Sequence, residues 1–185
     1  MSENTNYGPL SQLIGQWKGE KGIDLAPEPN GQEENPYYET IDYVAAGNVE
    51  NAESQVLSIV RYHQVVKKKS DNDTFHDQIG FWMWDENTNV IMHSLTIPRA
   101  VCVLAGGIYR NETTDSGEVI LEVSAAVDDK EWGILQSPFM KKNAKTTSFA
   151  QRITVGNGKM TYKQTTMLDI YGRVFEHTDE NQLKL

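Results

Sequence analysis

The chain has 185 residues and a net charge of -9, so it is expected to fold as a single domain spanning 1–185. That charge argues against a nucleic-acid partner, and Lys67-Lys68-Lys69, the one basic run, passes at once into Ser70-Asp71-Asn72-Asp73, the pattern of a strand end entering a solvated turn. No apolar run of about 18 residues predicts a membrane span. The start Met1-Ser2-Glu3-Asn4-Thr5-Asn6 has neither the basic nor the apolar part of a signal peptide, and Cys102 has no second cysteine to pair with, so a soluble cytoplasmic protein is expected.

In chain order, Pro9 to Ile14 reads as a short apolar helix, followed by Gly15-Gln16-Trp17-Lys18-Gly19 at the start of a first strand. A helix in that place can plug one end of a barrel, with the indole of Trp17 covering its floor. Ala26 to Pro36, with three prolines, reads as a loop. Strands are predicted at Tyr38–Val44, Gln55–Val66, Phe75–Trp84, Asn89–Ile97, Arg99–Tyr109 and Gly117–Ala126. Further strands are predicted at Thr146–Val155, Lys159–Ile170 and Val174–Leu185. Val127 to Asn143 is either a short helical turn or a loop folded over a barrel mouth. Gly156-Asn157-Gly158 supplies the positive φ values of a tight hairpin. With the strand of Trp17 the total is about ten, hairpin-linked, which predicts an all-β, antiparallel up-and-down barrel whose closure removes the sheet edges.

The residues that can carry chemistry are few. Ile79-Gly80-Phe81-Trp82-Met83-Trp84 is too apolar for a strand with one wet face, so both faces are expected to be covered, by ligand or by core. Arg61 and His63 share a strand face; pointing inward they would clamp a ligand carboxylate, pointing outward they are solvated. Arg99 and Arg152 are further candidates for such a clamp. His63, His76, His93 and His177 form no ligand spacing for zinc, but a single histidine suffices for haem in an apolar cavity. An enzyme without a metal would be marked by a buried acid such as Asp77 or Glu122. Cys102, in Ala100-Val101-Cys102-Val103-Leu104, reads as a small core hydrophobe. Nothing locates a dimer face, so a monomer and a homodimer both stand.

The motif Pro9-Leu10-x-x-Leu13-Ile14-Gly15-x-Trp17-x-Gly19-Glu20-x-Gly22 resembles the opening of the nitrobindin-like, fatty-acid-binding-protein-like β-barrels. Phe75-His76-Asp77-Gln78-Ile79-Gly80-Phe81-Trp82 matches a second block, and Met167, Gly172, His177 and Leu183 a third. The resemblance implies a ten-stranded, calycin-like or lipocalin-like barrel with a short plugging helix. It also implies b-type haem held by one histidine, with nitric oxide binding or peroxynitrite isomerase-like chemistry. Carried onto this chain, His177 is the candidate iron ligand and His76 a distal-side residue, with Trp82 and Met83 near the cofactor. The phase of the last strand decides whether His177 or Thr178 faces inward. The alternative is a carrier of a fatty-acid-like or other hydrophobic ligand, with no haem.

Overall fold

Alternation of apolar and polar residues, repeated from strand to strand, closes the chain into one antiparallel barrel in the computed structural model, which describes residues 5–185. Its strands are β1 (Gly15–Glu28), β2 (Gly31–Ala52), β3 (Gln55–Lys68), β4 (Thr74–Asp85), β5 (Val90–Ile97) and β6 (Val101–Ile108). They continue as β7 (Val119–Ala126), β8 (Ile134–Gln136), β9 (Ala144–Gly156), β10 (Lys159–Ile170) and β11 (Arg173–Lys184). Neighbours run β5-β4-β3-β2-β1-β11-β10-β9-β7-β6, and the β5–β6 pairing closes this ring of ten; β8 pairs with β6 alone. Between β8 and β9 lies one helical turn, α1 (Pro138–Asn143), capped by the Ser137 hydroxyl, which accepts from the Met140 amide. The segment after β7 is thus part loop, part β8 and part helix.

Two expectations need correction. The N-terminal helix is only a six-residue 3₁₀ turn, Gly8–Leu13. Its Leu10 and Leu13 are fully buried, and Trp17 donates its indole N–H to the Leu13 carbonyl at 2.7 Å. Ala26 to Pro36 is not a loop but a hairpin that prolongs β1 and β2, with Pro27 opposite Gln32 and Pro36 opposite Ile23. Pro27 lies beyond Leu25, where β1 no longer pairs with β11, and Pro36 lies just before the β2–β3 ladder begins at Tyr37, its carbonyl accepting from the Lys69 amide. The Asn157-Gly158 hairpin has the expected positive φ values, 54° and 69°.

The interior is layered. Near the 3₁₀ turn it is apolar, with Trp17, Ile41, Val60, Trp82, Ile91, Ile153 and Leu183 packed together. Further along the same inward faces the side chains turn polar: Glu39, Gln64, Gln78, Gln151 and Asn181 are all buried. Beyond this belt the barrel is hollow. Trp84 packs on the turn at Gly8, and His76 lies eight positions away on β4, so the hollow end is about 26 Å from the closed one at roughly 3.3 Å per residue.

Candidate functional site

A cavity of about 340 Å³ occupies the hollow end, within the size range of small-ligand pockets. Val66, Phe75, Ile97, Val101, Phe149 and Ile170 form its apolar walls, and Met140 of α1 covers part of it. His177, Asp24, Asp179, His76 and Arg99 also line it. On β11 the buried residues Phe175, Asn181 and Leu183 are in phase with His177, so His177 faces the cavity and Thr178 does not.

Asp24 and Asp179 are direct cross-strand partners on β1 and β11. His177 Nε2–H donates to Asp24 Oδ1 at 2.6 Å, and the same nitrogen is 3.6 Å from Asp179 Oδ2. Asn35 Nδ2 donates to the other Asp24 oxygen at 3.0 Å, and Gln164 Nε2 reaches Asp179 Oδ2 at 3.4 Å. Burial disfavours a charged His177, but the hydrogen bond to Asp24 and the charges of both aspartates outweigh it and raise the imidazole above its ordinary value. Burial drives Asp179 upward; His177 opposes this and Asp24 adds to it. His76, buried and near the charge of His177, is shifted downward.

Beneath the cavity lies Glu39, 2% exposed. Its carboxylate accepts from Gln64 Nε2 at 2.5 Å, Asn181 Nδ2 at 2.7 Å and the Tyr162 hydroxyl at 2.9 Å. Tyr162 and Tyr37 hydroxyls are 2.7 Å apart. Desolvation exceeds the effect of these donors, and Glu39 is pushed up to about 7. A second chain joins His76 Nε2 to Gln78 (3.2 Å), Gln78 Nε2 to the Tyr62 hydroxyl (2.6 Å) and Tyr62 to His93 Nε2 (2.7 Å). His93 is fully enclosed, is held down to about 3 by burial, and stacks on Trp82 at 4.2 Å.

The structure therefore brings His177, His76 and Arg99 to one cavity and places the other candidates elsewhere. Trp82 is core, below the polar belt. Met83 is on the opposite face of β4. Arg61 and His63 point outward, and His63 pairs with Asp77 at 3.0 Å. They line an external groove of about 1140 Å³ with Ile79, Phe81 and Leu104. The outer face of β4 is thus apolar and partly open: Ile79 is 56% and Phe81 42% exposed, where full cover was expected. Cys102 is exposed in the same groove, not core. Asp77 and Glu122 are outward as well, and Glu122 is paired with Arg152. Among the described residues the buried acids are Glu39, Asp24 and Asp85 instead, and of these Asp24 lines the cavity. Glu39 carried a signal in the sequence: it is in phase with Tyr37, Ile41 and Tyr43, so an acid stands in an apolar register.

No helix among the described residues is long and apolar enough to cross a membrane. Residues 6–184 match a family model described as a THAP4-like, heme-binding beta-barrel domain. No curated protein matches the chain. Among solved structures, the crystal structure of Rv2717c from M. tuberculosis superposes with a TM-score of 0.70 at 16% identity, covering 95% of this chain and 94% of that one. At that identity the likeness is one of fold.

Proposed function

The chain belongs to the THAP4-like haem-binding β-barrel family and is a small-ligand-binding barrel, and we propose that its ligand is haem b, held by His177. The observation that carries this is the direction and support of that histidine. It faces the cavity, and its Nε2–H is fixed by Asp24, leaving Nδ1 as the ring nitrogen with no hydrogen-bond partner among the described residues. A carboxylate on one imidazole nitrogen is the usual support for a histidine that binds metal through the other. The apolar walls supply burial for a macrocycle, and Arg99 supplies a cation for an acidic substituent.

In this reading His177 holds the iron, Asp24 orients the ring and His76 lines the same cavity. Haem, when bound, would supply the iron chemistry for nitric oxide or peroxynitrite. The polar belt of Glu39, Gln64 and Gln78 closes the cavity from below, where His76 is anchored by Gln78. A fatty-acid-like ligand has Arg99 in its favour, but its carboxylate would face the inward carboxyl groups of Asp24 and Asp179.

Titration of the purified chain with hemin tests the proposal. A Soret band of bound haem is expected with the wild type and Thr178→Ala, and its loss in His177→Ala. Met83→Ala and Arg61→Ala, on the outer face, leave it unchanged. Absence of a bound-haem Soret band with the wild-type protein overturns the reading.

A further inference from the structure

Asp24 and Asp179 pose a problem that haem binding does not resolve. They are directly paired carboxyl groups on adjacent strands, both turned inward, an arrangement that favours a proton or a cation between them. His177 is the nitrogen donor nearest to both, and Arg99, which also lines the cavity, is exposed.

We propose that Asp24, His177 and Asp179 form a divalent-cation site in the haem-free barrel, for a zinc- or manganese-like ion. Each residue offers one donor atom, and the three donors lie within 4.8 Å of one another. His177 Nε2 is 2.6 Å from Asp24 Oδ1 and 3.6 Å from Asp179 Oδ2. Donors of a tetrahedral zinc ion stand about 3.4 Å apart, given bonds of roughly 2.1 Å, so small side-chain shifts bring all three to coordination distance. The carboxylates are already anchored from behind by Asn35 and Gln164, the outer-layer support that orients ligands before the ion arrives. One imidazole and two carboxylates suit a zinc- or manganese-like ion better than calcium, which takes six to eight oxygens. The remaining positions open to the cavity.

The cation takes Nε2, the nitrogen that Asp24 otherwise holds, whereas the haem reading uses Nδ1. The inference stands independently of haem, and the two ligands exclude each other at His177.

Isothermal titration of the haem-free full chain with zinc chloride, and separately with manganese chloride, tests it. One equivalent is expected to bind, with at least tenfold weaker binding in Asp179→Asn and in His177→Gln. Either variant serves if the other does not fold by circular dichroism. Saturating zinc is expected to slow hemin uptake by the wild type. Absence of saturable uptake of either ion, or uptake of equal affinity in the folded variants, overturns the proposal. A missing Soret band overturns the haem reading alone, because the zinc titration contains no hemin.

Discussion

Glu39 is a buried acid in a folded barrel, and its cost is a function of pH. Its ordinary value is 4.5, and burial raises it to about 7 despite three hydrogen-bond donors. Between these limits the folded state keeps the proton that the unfolded state has lost, so stability falls as pH rises. The difference is about 2.5 units, which at 1.36 kcal/mol per unit gives about 3 kcal/mol, fully lost above pH 7 and fully retained below pH 4.5. Glu39→Gln removes this titration. Its amide meets donor groups on Gln64 or Asn181, a penalty on the order of 1–3 kcal/mol that does not vary with pH. Urea unfolding of both proteins from pH 4.5 to 8, followed by the fluorescence of the buried tryptophans, isolates the contribution of Glu39. The stability difference should move by about 3 kcal/mol in favour of the variant as pH rises. A difference that stays constant across that window, or moves toward the wild type, refutes the reasoning. Asp179 titrates with the same sign in both proteins, so it largely cancels.

Two backbone positions give sharper tests of packing. Gly80 on β4 has no room for a methyl group: a Cβ there would lie 2.0 Å from the Ser94 carbonyl oxygen of β5. Backbone cannot yield as a side-chain tip can, so Gly80→Ala should cost on the order of 1–3 kcal/mol in urea unfolding; an unchanged midpoint would mean that β4 and β5 are less tightly paired. Ala100 sits in the turn before β6 at φ 60°, a left-handed conformation unfavourable for a residue with a Cβ. Ala100→Gly relieves that strain and should raise stability by up to about 1 kcal/mol; a loss of stability would show that the turn is not strained.

The barrel was legible because its signals are local. Strand faces show as alternation, and Asn157-Gly158 announces its own turn geometry. The phase of β11 was only partly legible: Leu183 is apolar between Gln182 and Lys184 and shares the parity of His177, but Val174 beside Phe175 blurs the alternation, so the sequence left His177 and Thr178 both open. The apolar outer face of β4 was misleading, because hydrophobicity alone does not say whether a face is covered, and Ile79 and Phe81 border an open groove.

Asp24 was not legible, and the reason lies in the backbone. Trp17 and Gly19 set odd positions of β1 inward, which would turn Asp24 outward. The register with β2 shifts between Gly19 and Gly22, and the pairing with β11 shifts between Gly19 and Ile23. That bulge reverses the parity of the strand, so Gly22, Asp24 and Ala26 point inward. Gly22 fits the bend, since a Cβ there would strike the Tyr37 ring at 2.0 Å. One inserted residue thus carries an aspartate across the sheet, opposite Asp179 and onto His177. The histidine is at least visible as a candidate in its own strand, but its immediate chemical partner is set by an irregularity about 150 residues earlier in the chain, where only the folded register reveals it.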